Sequence, residues 1–235
     1  MFDKYRKFGA YHWNDIDSSS MYKLLNRSLP LYTRYQVCLD QIQVNACNCI
    51  EIGCGDAALT YLIAQKRIRV LGCDTDETGI ELAKQKIKKL PLGHFISLYC
   101  GRFQNCHIKS NSVDVVVLAD VVEHLEHPEL FFQEIKRIGK KGGRLIITTP
   151  VAKKNGLWDN AHVQEYTVES LSSLLKEYFP STLVAPFLPE IVYKIYHSFF
   201  LFRYLFNGLA FLGVNLFKAN LPIGRHIMLL GVSEF

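Results

Sequence analysis

Glu51-Ile52-Gly53-Cys54-Gly55-Asp56-Ala57 marks the point where a strand-length apolar run, residues 49–53, gives way to a helix-length segment, 57–65. Glycine suits this junction for two reasons. A tight strand-to-helix turn demands backbone angles that side chains disfavour, and a backbone that must approach a ligand closely cannot carry a Cβ. Twenty-one residues after Gly53, Asp74 ends a second apolar run, 70–74. A carboxylate at that place can accept both hydroxyls of a ribose.

Outward from the turn, strand-length apolar runs alternate with amphipathic helical segments, the rhythm of βαβ units on a parallel sheet. Residues 78–89 predict a helix with Ile80, Ala83 and Ile87 inward, and 95–99 a third strand. The unbroken apolar run 113–119 suits a central parallel strand. Residues 128–138 read as a helix with proline at its start, ended by Gly142-Gly143, and 144–149 as a fifth strand. After a loop at 151–163, a helix at 167–178 is capped by Thr167, and 182–185 and 226–232 are the last two strands. The expected fold is α/β and Rossmann-like: a mostly parallel seven-stranded sheet, helices on both faces, and a hydrophobic helical insertion (187–221) before the last strand. Residues 1–45, helical around 32–42, form an N-terminal lid or cap, and 46–235 the main domain.

A chain of 235 residues can bury such a core without disulfide staples. The net charge of +5, from 27 basic and 22 acidic side chains, is mild, and the basic residues are dispersed. No aromatic-interleaved basic patch announces a nucleic-acid partner. The start, from Met1 to Lys7, has no apolar stretch of the signal-peptide kind, so the seven cysteines are expected as reduced thiols in the cytoplasm. Cys47, Cys49 and Cys54 have the wrong spacing for a zinc knuckle, and no metal is expected.

Taken alone, Gly53-x-Gly55-x-x-Ala58 also fits a dinucleotide fingerprint. A dinucleotide brings a pyrophosphate to the turn, where positive potential is wanted. Here Glu51 precedes the turn and Asp56 lies within it. Two carboxylates oppose a pyrophosphate and suit a ligand that has a cationic ammonium and no phosphate.

At this point the chain resembles the class I S-adenosylmethionine-dependent methyltransferases. The stretch 51–57 is similar to their first motif and Gly72-Cys73-Asp74 to their second. Residues 114–128, with Asp120-Val-Val-Glu123-His124, resemble the fourth strand and the helix after it. Residues 141–150 resemble the fifth strand, and His162-Val-Gln-Glu165-Tyr166-Thr167 a lid segment of the ubiquinone-type O-methyltransferase branch. The resemblance covers roughly 47–185 and implies S-adenosylmethionine as cofactor, leaving as S-adenosylhomocysteine. It implies that Glu51, Gly53, Cys54 and Gly55 line the methionine and ribose side, that Asp74 holds the ribose, and that Thr75 flanks the adenine. Asp120 and Val121 would meet the methionine end. Where the family has an acid after the third strand, this chain reads Cys100-Gly101-Arg102-Phe103, so backbone at Arg102 or Phe103 takes that role or the correspondence shifts there.

Methyl transfer from a sulfonium is an in-line displacement, for which a protein supplies alignment, a dry site and a destination for the acceptor's proton. His124, after the fourth strand, and His162, in the loop after the fifth, are the candidate bases, since neutral imidazole titrates near working pH. Each also has a plain packing role open to it, as does His12 between Tyr11 and Trp13 in the N-terminal cap.

Residues 191–217 carry nine aromatic side chains and only Lys194 and Arg203 as Lys/Arg charges. The fourteen uncharged residues 204–217 fall short of the roughly twenty that span a bilayer, and a mid-span Arg203 costs roughly 2.5–3.5 kcal/mol. Such a segment is buried in the domain, forms a homodimer interface, walls a small or lipid-like hydrophobic acceptor, or rests peripherally on a membrane. Two competing readings remain: an NAD(P)-dependent oxidoreductase using the same glycines and Asp74, and a noncatalytic methyltransferase-like binding protein.

Overall fold

The computed structural model describes residues 4–153, 155–219 and 224–235. Four helices lead in: α1 (Lys4–Phe8), α2 (His12–Ile16), α3 (Met21–Asn26) and α4 (Leu29–Gln41). The alternating body follows as β1 (Asn48–Ile52), α5 (Ala58–Ala64), β2 (Arg69–Asp74), α6 (Glu77–Ile87), β3 (Ile96–Cys100), β4 (Val113–Ala119), α7 (Pro128–Ile138), β5 (Gly139–Pro150), α8 (Val168–Tyr178) and β6 (Thr182–Pro189). Then come α9 (Glu190–Ser198), α10 (Phe200–Phe211) and β7 (His226–Glu234).

The seven strands lie in the order β3-β2-β1-β4-β5-β7-β6. The first five run parallel, and β7 runs antiparallel between β5 and β6. The expected Rossmann-like, mostly parallel sheet is therefore present. Strand order reverses between β1 and β4, and the crevice above their carboxyl ends is where ligands of open α/β sheets bind.

Strand alternation divides the core into two layers. Ile50, Ile52, Val116, Leu118, Leu145 and Ile147 pack under α7 and α8 with Phe132, Ile135, Leu171 and Leu175. Cys49, Val115, Val117 and Ile146 pack on the opposite face under α4 and α5, with Tyr35, Cys38, Leu59 and Ile63. Glu51 shares its parity with Cys49, which turns its carboxylate toward α5. Thr167 caps α8 as expected, in a reciprocal capping box with Ser170, an arrangement that contributes about 1 kcal/mol.

Two boundaries differ from the sequence reading. The helix lies at Pro128–Ile138 as expected, but the fifth strand, expected over 144–149, begins directly after it at Gly139 and runs to Pro150, so Gly142-Gly143 lie inside β5. A Cβ on Gly139 or Gly143 would stand 2.4 or 2.9 Å from the Phe235 ring, so these glycines make room for the C-terminal phenylalanine. The insertion expected over 187–221 begins later, because 187–189 still belong to β6, where Phe187 and Pro189 pair with Met228 and His226. It is a hairpin of two short helices broken at Phe199, whose backbone is extended (φ −152°, ψ 140°). Positions 220 and 221 lie outside the described residues.

The hairpin is two-sided. Val192, Tyr196, Phe206 and Phe217 are buried with Leu29, Val37 and Met228, while Phe199, Phe200, Leu201, Leu205 and Leu212 are exposed. No helix among the described residues is long and apolar enough to cross a membrane.

Candidate functional site

Both turn glycines adopt the left-handed backbone that side chains resist: Gly53 at φ +76° and Gly55 at φ +53°. The Gly53 amide donates to the Cys73 carbonyl at 2.7 Å, which ties the turn to the end of β2. A Cβ on Gly53 would stand 2.4 Å from Val121 Cγ2, so this glycine lets the ends of β1 and β4 close together. A Cβ on Gly55 would stand 1.8 Å from the Tyr5 hydroxyl, so α1 lies directly over the turn.

Three carboxylates surround this backbone. Glu51, only 3% exposed, accepts a hydrogen bond from Thr60. Burial pushes its carboxyl up to about 8, helped by the negative charges of Asp56 and Asp74 and opposed by the Thr60 bond. Asp74 accepts from the Gly55 amide at 2.7 Å and the Asp76 amide at 2.8 Å, and burial raises its pKa as well. Asp56, 1% exposed, accepts from the His12 amide and faces His12 Nδ1, both at 3.1 Å. Trp13 Nε1 donates to the Asp56 carbonyl at 2.7 Å. Helices α1 and α2 thus meet the glycine turn through Tyr5, His12 and Trp13. Cys54 is buried and its thiol is pushed well above its usual range by that burial. Thr75 is exposed just beyond Asp74.

On the far side of β2, the Gly101 amide donates to the Asp74 carbonyl at 2.8 Å. Arg102 is exposed, whereas the Phe103 ring is committed to the core, 5.9 Å from Phe131. Only backbone of Phe103 remains for a ligand on that side.

At the tip of β4, Asp120 adopts φ +57°, an uncommon conformation for a residue other than glycine. Its amide donates to Thr148, and its carboxylate forms an ion pair with Arg34 of α4. Arg34 was missed at the sequence level. Its one local signal is a charge set among the buried Thr33, Tyr35, Val37 and Cys38.

The two candidate histidines do meet. Their rings stand edge to face with centroids 4.9 Å apart. His124 Nδ1 donates to the Ala161 carbonyl at 3.0 Å, and His162 Nδ1 contacts the Glu165 carboxylate at 2.7 Å. The loop carrying His162 is fastened to β4 by the Val163 and Gln164 amides, which donate to the Glu123 carbonyl at 2.8 and 3.2 Å. The buried Glu123 carboxylate accepts from Thr149 at 2.9 Å. Ligand atoms of Glu123, His124 and His162 lie within 4.8 Å of one another, a set that could hold a divalent ion. A cleft of about 580 Å³ opens beside the same loop, lined by Val151, Lys153, Trp158, Pro186 and His226 among others, none from the glycine turn.

The crevice fits S-adenosylmethionine. A left-handed glycine backbone admits close approach, and the acids around it favour a cationic ligand over a diphosphate.

Residues 50–147 match the profile of a methyltransferase domain. A probable S-adenosylmethionine-dependent methyltransferase of Mycolicibacterium smegmatis is 32% identical over 101 residues, covering 43% of this chain and 37% of the relative. The ubiquinone biosynthesis O-methyltransferase of Coxiella burnetii is 23% identical over 137 residues, 58% of this chain and 56% of the relative. The chain therefore spans between about a third and somewhat over half of these relatives' length. A solved S-adenosylmethionine-dependent methyltransferase from Aquifex aeolicus superposes with a TM-score of 0.58 at 14% identity, over 97% of this chain and 100% of that one, which shows a shared fold. Motifs, fold and relatives agree: residues 50–147 carry the match to a methyltransferase domain, and over that stretch the chain is similar to S-adenosylmethionine-dependent methyltransferases.

Proposed function

We propose that the protein transfers the methyl group of S-adenosylmethionine to an oxygen of a small or lipid-like hydrophobic acceptor. The observation that carries the first half is the acid-ringed glycine turn at the β1/β4 switch point. When bound there, S-adenosylmethionine supplies an activated methyl carbon for in-line displacement. Gly53 and Gly55 bring no Cβ of their own to the turn, and Tyr5 covers Gly55 and yields to a ligand that approaches there. Glu51 and Asp74 present acceptors to ammonium and ribose hydroxyls, and the N-terminal helices through Tyr5 and Trp13 exclude water. Asp120 and Val121 border the methionine end, with Arg34 neutralising Asp120.

For an oxygen acceptor the proton needs a destination. His162 is well arranged for it: a carboxylate holding Nδ1 fixes the tautomer that accepts at Nε2 and stabilises the imidazolium formed. His124, packed against it, completes the pair at the β4 tip. The aromatic outer face of α9 and α10 supports an apolar acceptor and peripheral contact with a membrane. The relative named for O-methylation in ubiquinone biosynthesis supports the oxygen assignment.

The test is incubation of the protein with methyl-labelled S-adenosylmethionine and a cell extract, followed by partition between organic solvent and water. Protein-dependent label in the organic phase, on a product whose fragmentation places the methyl on oxygen, supports the proposal. Label confined to water-soluble product refutes the acceptor class. No labelled product, with S-adenosylhomocysteine still bound, favours a noncatalytic binding protein.

A further inference from the structure

Arg27 closes α3 and is 6% exposed. Its guanidinium lies over the Tyr32 ring at 4.1 Å, and its Nη2 is buried with no hydrogen-bond partner. Asp15, whose carboxyl feels the Arg27 charge, accepts instead from the Ser28 amide at 2.5 Å. No carboxylate among the described residues forms an ion pair with Arg27. A buried cation without a counter-charge is costly, so an anion is expected to meet it.

A second residue lining the same cleft also carries an unmet polar atom. Asn207 of α10 is 3% exposed, its Nδ2 donates to the Leu25 carbonyl at 2.9 Å, and its Oδ1 has no partner. The residue is held in place rather than adrift, because the Arg27 carbonyl accepts from the Tyr196 hydroxyl at 3.0 Å and from Asn207 Nδ2 at 3.3 Å. Arg27 and Asn207 line a cleft of about 350 Å³ whose other walls include Leu24, Leu29, Tyr32 and Phe211. Phe211 continues onto the exposed apolar face of the hairpin with Leu212. Arg203 of the same helix donates to the Asn26 carbonyl nearby and adds positive charge.

We infer that this cleft binds the phosphate-bearing headgroup of an anionic lipid. Arg27 takes the phosphate oxygens, Asn207 Oδ1 accepts from a headgroup hydroxyl or amine, and the lipid's chains lie along Phe211 and the outer face of α10. A guanidinium forms strong charge-assisted bonds to phosphate, and the adjoining apolar surface selects a lipid over a free ion. The site shares no residue with the glycine turn, so its failure leaves the methyl-transfer reading intact, but it rests on the membrane contact proposed above for the outer face of α10.

The test uses the full chain with vesicles of phosphatidylcholine alone, vesicles also containing phosphatidylglycerol, and inorganic phosphate. The wild type should float with the phosphatidylglycerol vesicles and not with phosphatidylcholine alone. Arg27→Gln should lower that partition at least about tenfold, the loss expected for charge-assisted hydrogen bonds, while its unfolding midpoint without lipid stays equal or rises, because an unpaired buried charge is gone. Arg27→Lys, which keeps the charge, should retain part of the binding. Three results would each overturn the inference: unchanged partition of Arg27→Gln, a lowered midpoint in that variant with partition lost equally in Arg27→Lys, or saturable binding of inorganic phosphate with no binding to vesicles.

Discussion

Replacing Glu51 with glutamine tests the electrostatics of the glycine turn without a ligand. The carboxyl is held to about 8, against 4.5 for a free glutamate, chiefly because burial disfavours its charge. In the folded protein it therefore keeps a proton that the unfolded chain gives up near pH 4.5. Stability from this group is fully present below 4.5, declines as pH rises toward 8, and levels off above that. Three and a half pH units at roughly 1.36 kcal/mol each set a ceiling of about 5 kcal/mol. Glutamine stays neutral, keeps the shape and can still meet Thr60. Denaturant unfolding of wild type and Glu51→Gln at pH 5.5 and 8.5 reads the effect, since raised groups such as Asp74 contribute alike to both proteins and cancel in the difference. The variant should lose less stability than the wild type over that interval, by roughly 2–3 kcal/mol, since only about two and a half of those pH units fall inside it, and be the more stable protein at pH 8.5. Equal slopes, or a variant weaker at pH 8.5, would refute the argument that Glu51 is a strained buried acid awaiting a cation.

Asp74→Ala removes the acceptor placed for the ribose and should weaken S-adenosylhomocysteine binding about ten- to a hundredfold by calorimetry; unchanged affinity would take Asp74 out of the site. Gly55→Ala puts a Cβ 1.8 Å from the Tyr5 hydroxyl in a left-handed backbone, so its thermal midpoint should fall by the equivalent of roughly 1–3 kcal/mol, and a midpoint like the wild type's would show that α1 does not pack there. His162→Gln should slow methyl transfer about a hundredfold or more, the usual worth of a general base, with S-adenosylhomocysteine affinity intact; a rate within twofold of wild type would leave the acceptor's proton to another group.

The parts of this molecule that follow from local pattern were legible in the chain, and the parts set by distant contacts were not. Strand β4 lies at 113–119 and α7 at 128–138, where an unbroken apolar run and a proline-led amphipathic stretch place them. The glycine turn and Asp74 come together because β1 and β2 are adjacent parallel strands, which their spacing already implies. The role of Gly139 and Gly143 was hidden, since they accommodate Phe235 at the opposite end of the sequence. The break at Phe199 has neither glycine nor proline to announce it. It lets Tyr196 and Phe206, on separate helices, both turn onto Phe217, with ring centroids at 5.3 and 6.1 Å. Arg34 meets Asp120 across 86 positions, a pairing no motif encodes. His124 and His162 were each visible as candidates, but their edge-to-face contact depends on the loop amides that fasten to Glu123.

The central claim is that Gly53 and Gly55, ringed by Glu51, Asp56 and Asp74, receive a phosphate-free ligand with a cationic amino-acid tail. Calorimetric titration of the intact chain with S-adenosylhomocysteine and, separately, with NAD puts it to the test most directly. Saturable one-to-one binding of S-adenosylhomocysteine, with no heat from NAD, is the predicted result. Binding of NAD without S-adenosylhomocysteine would contradict the account.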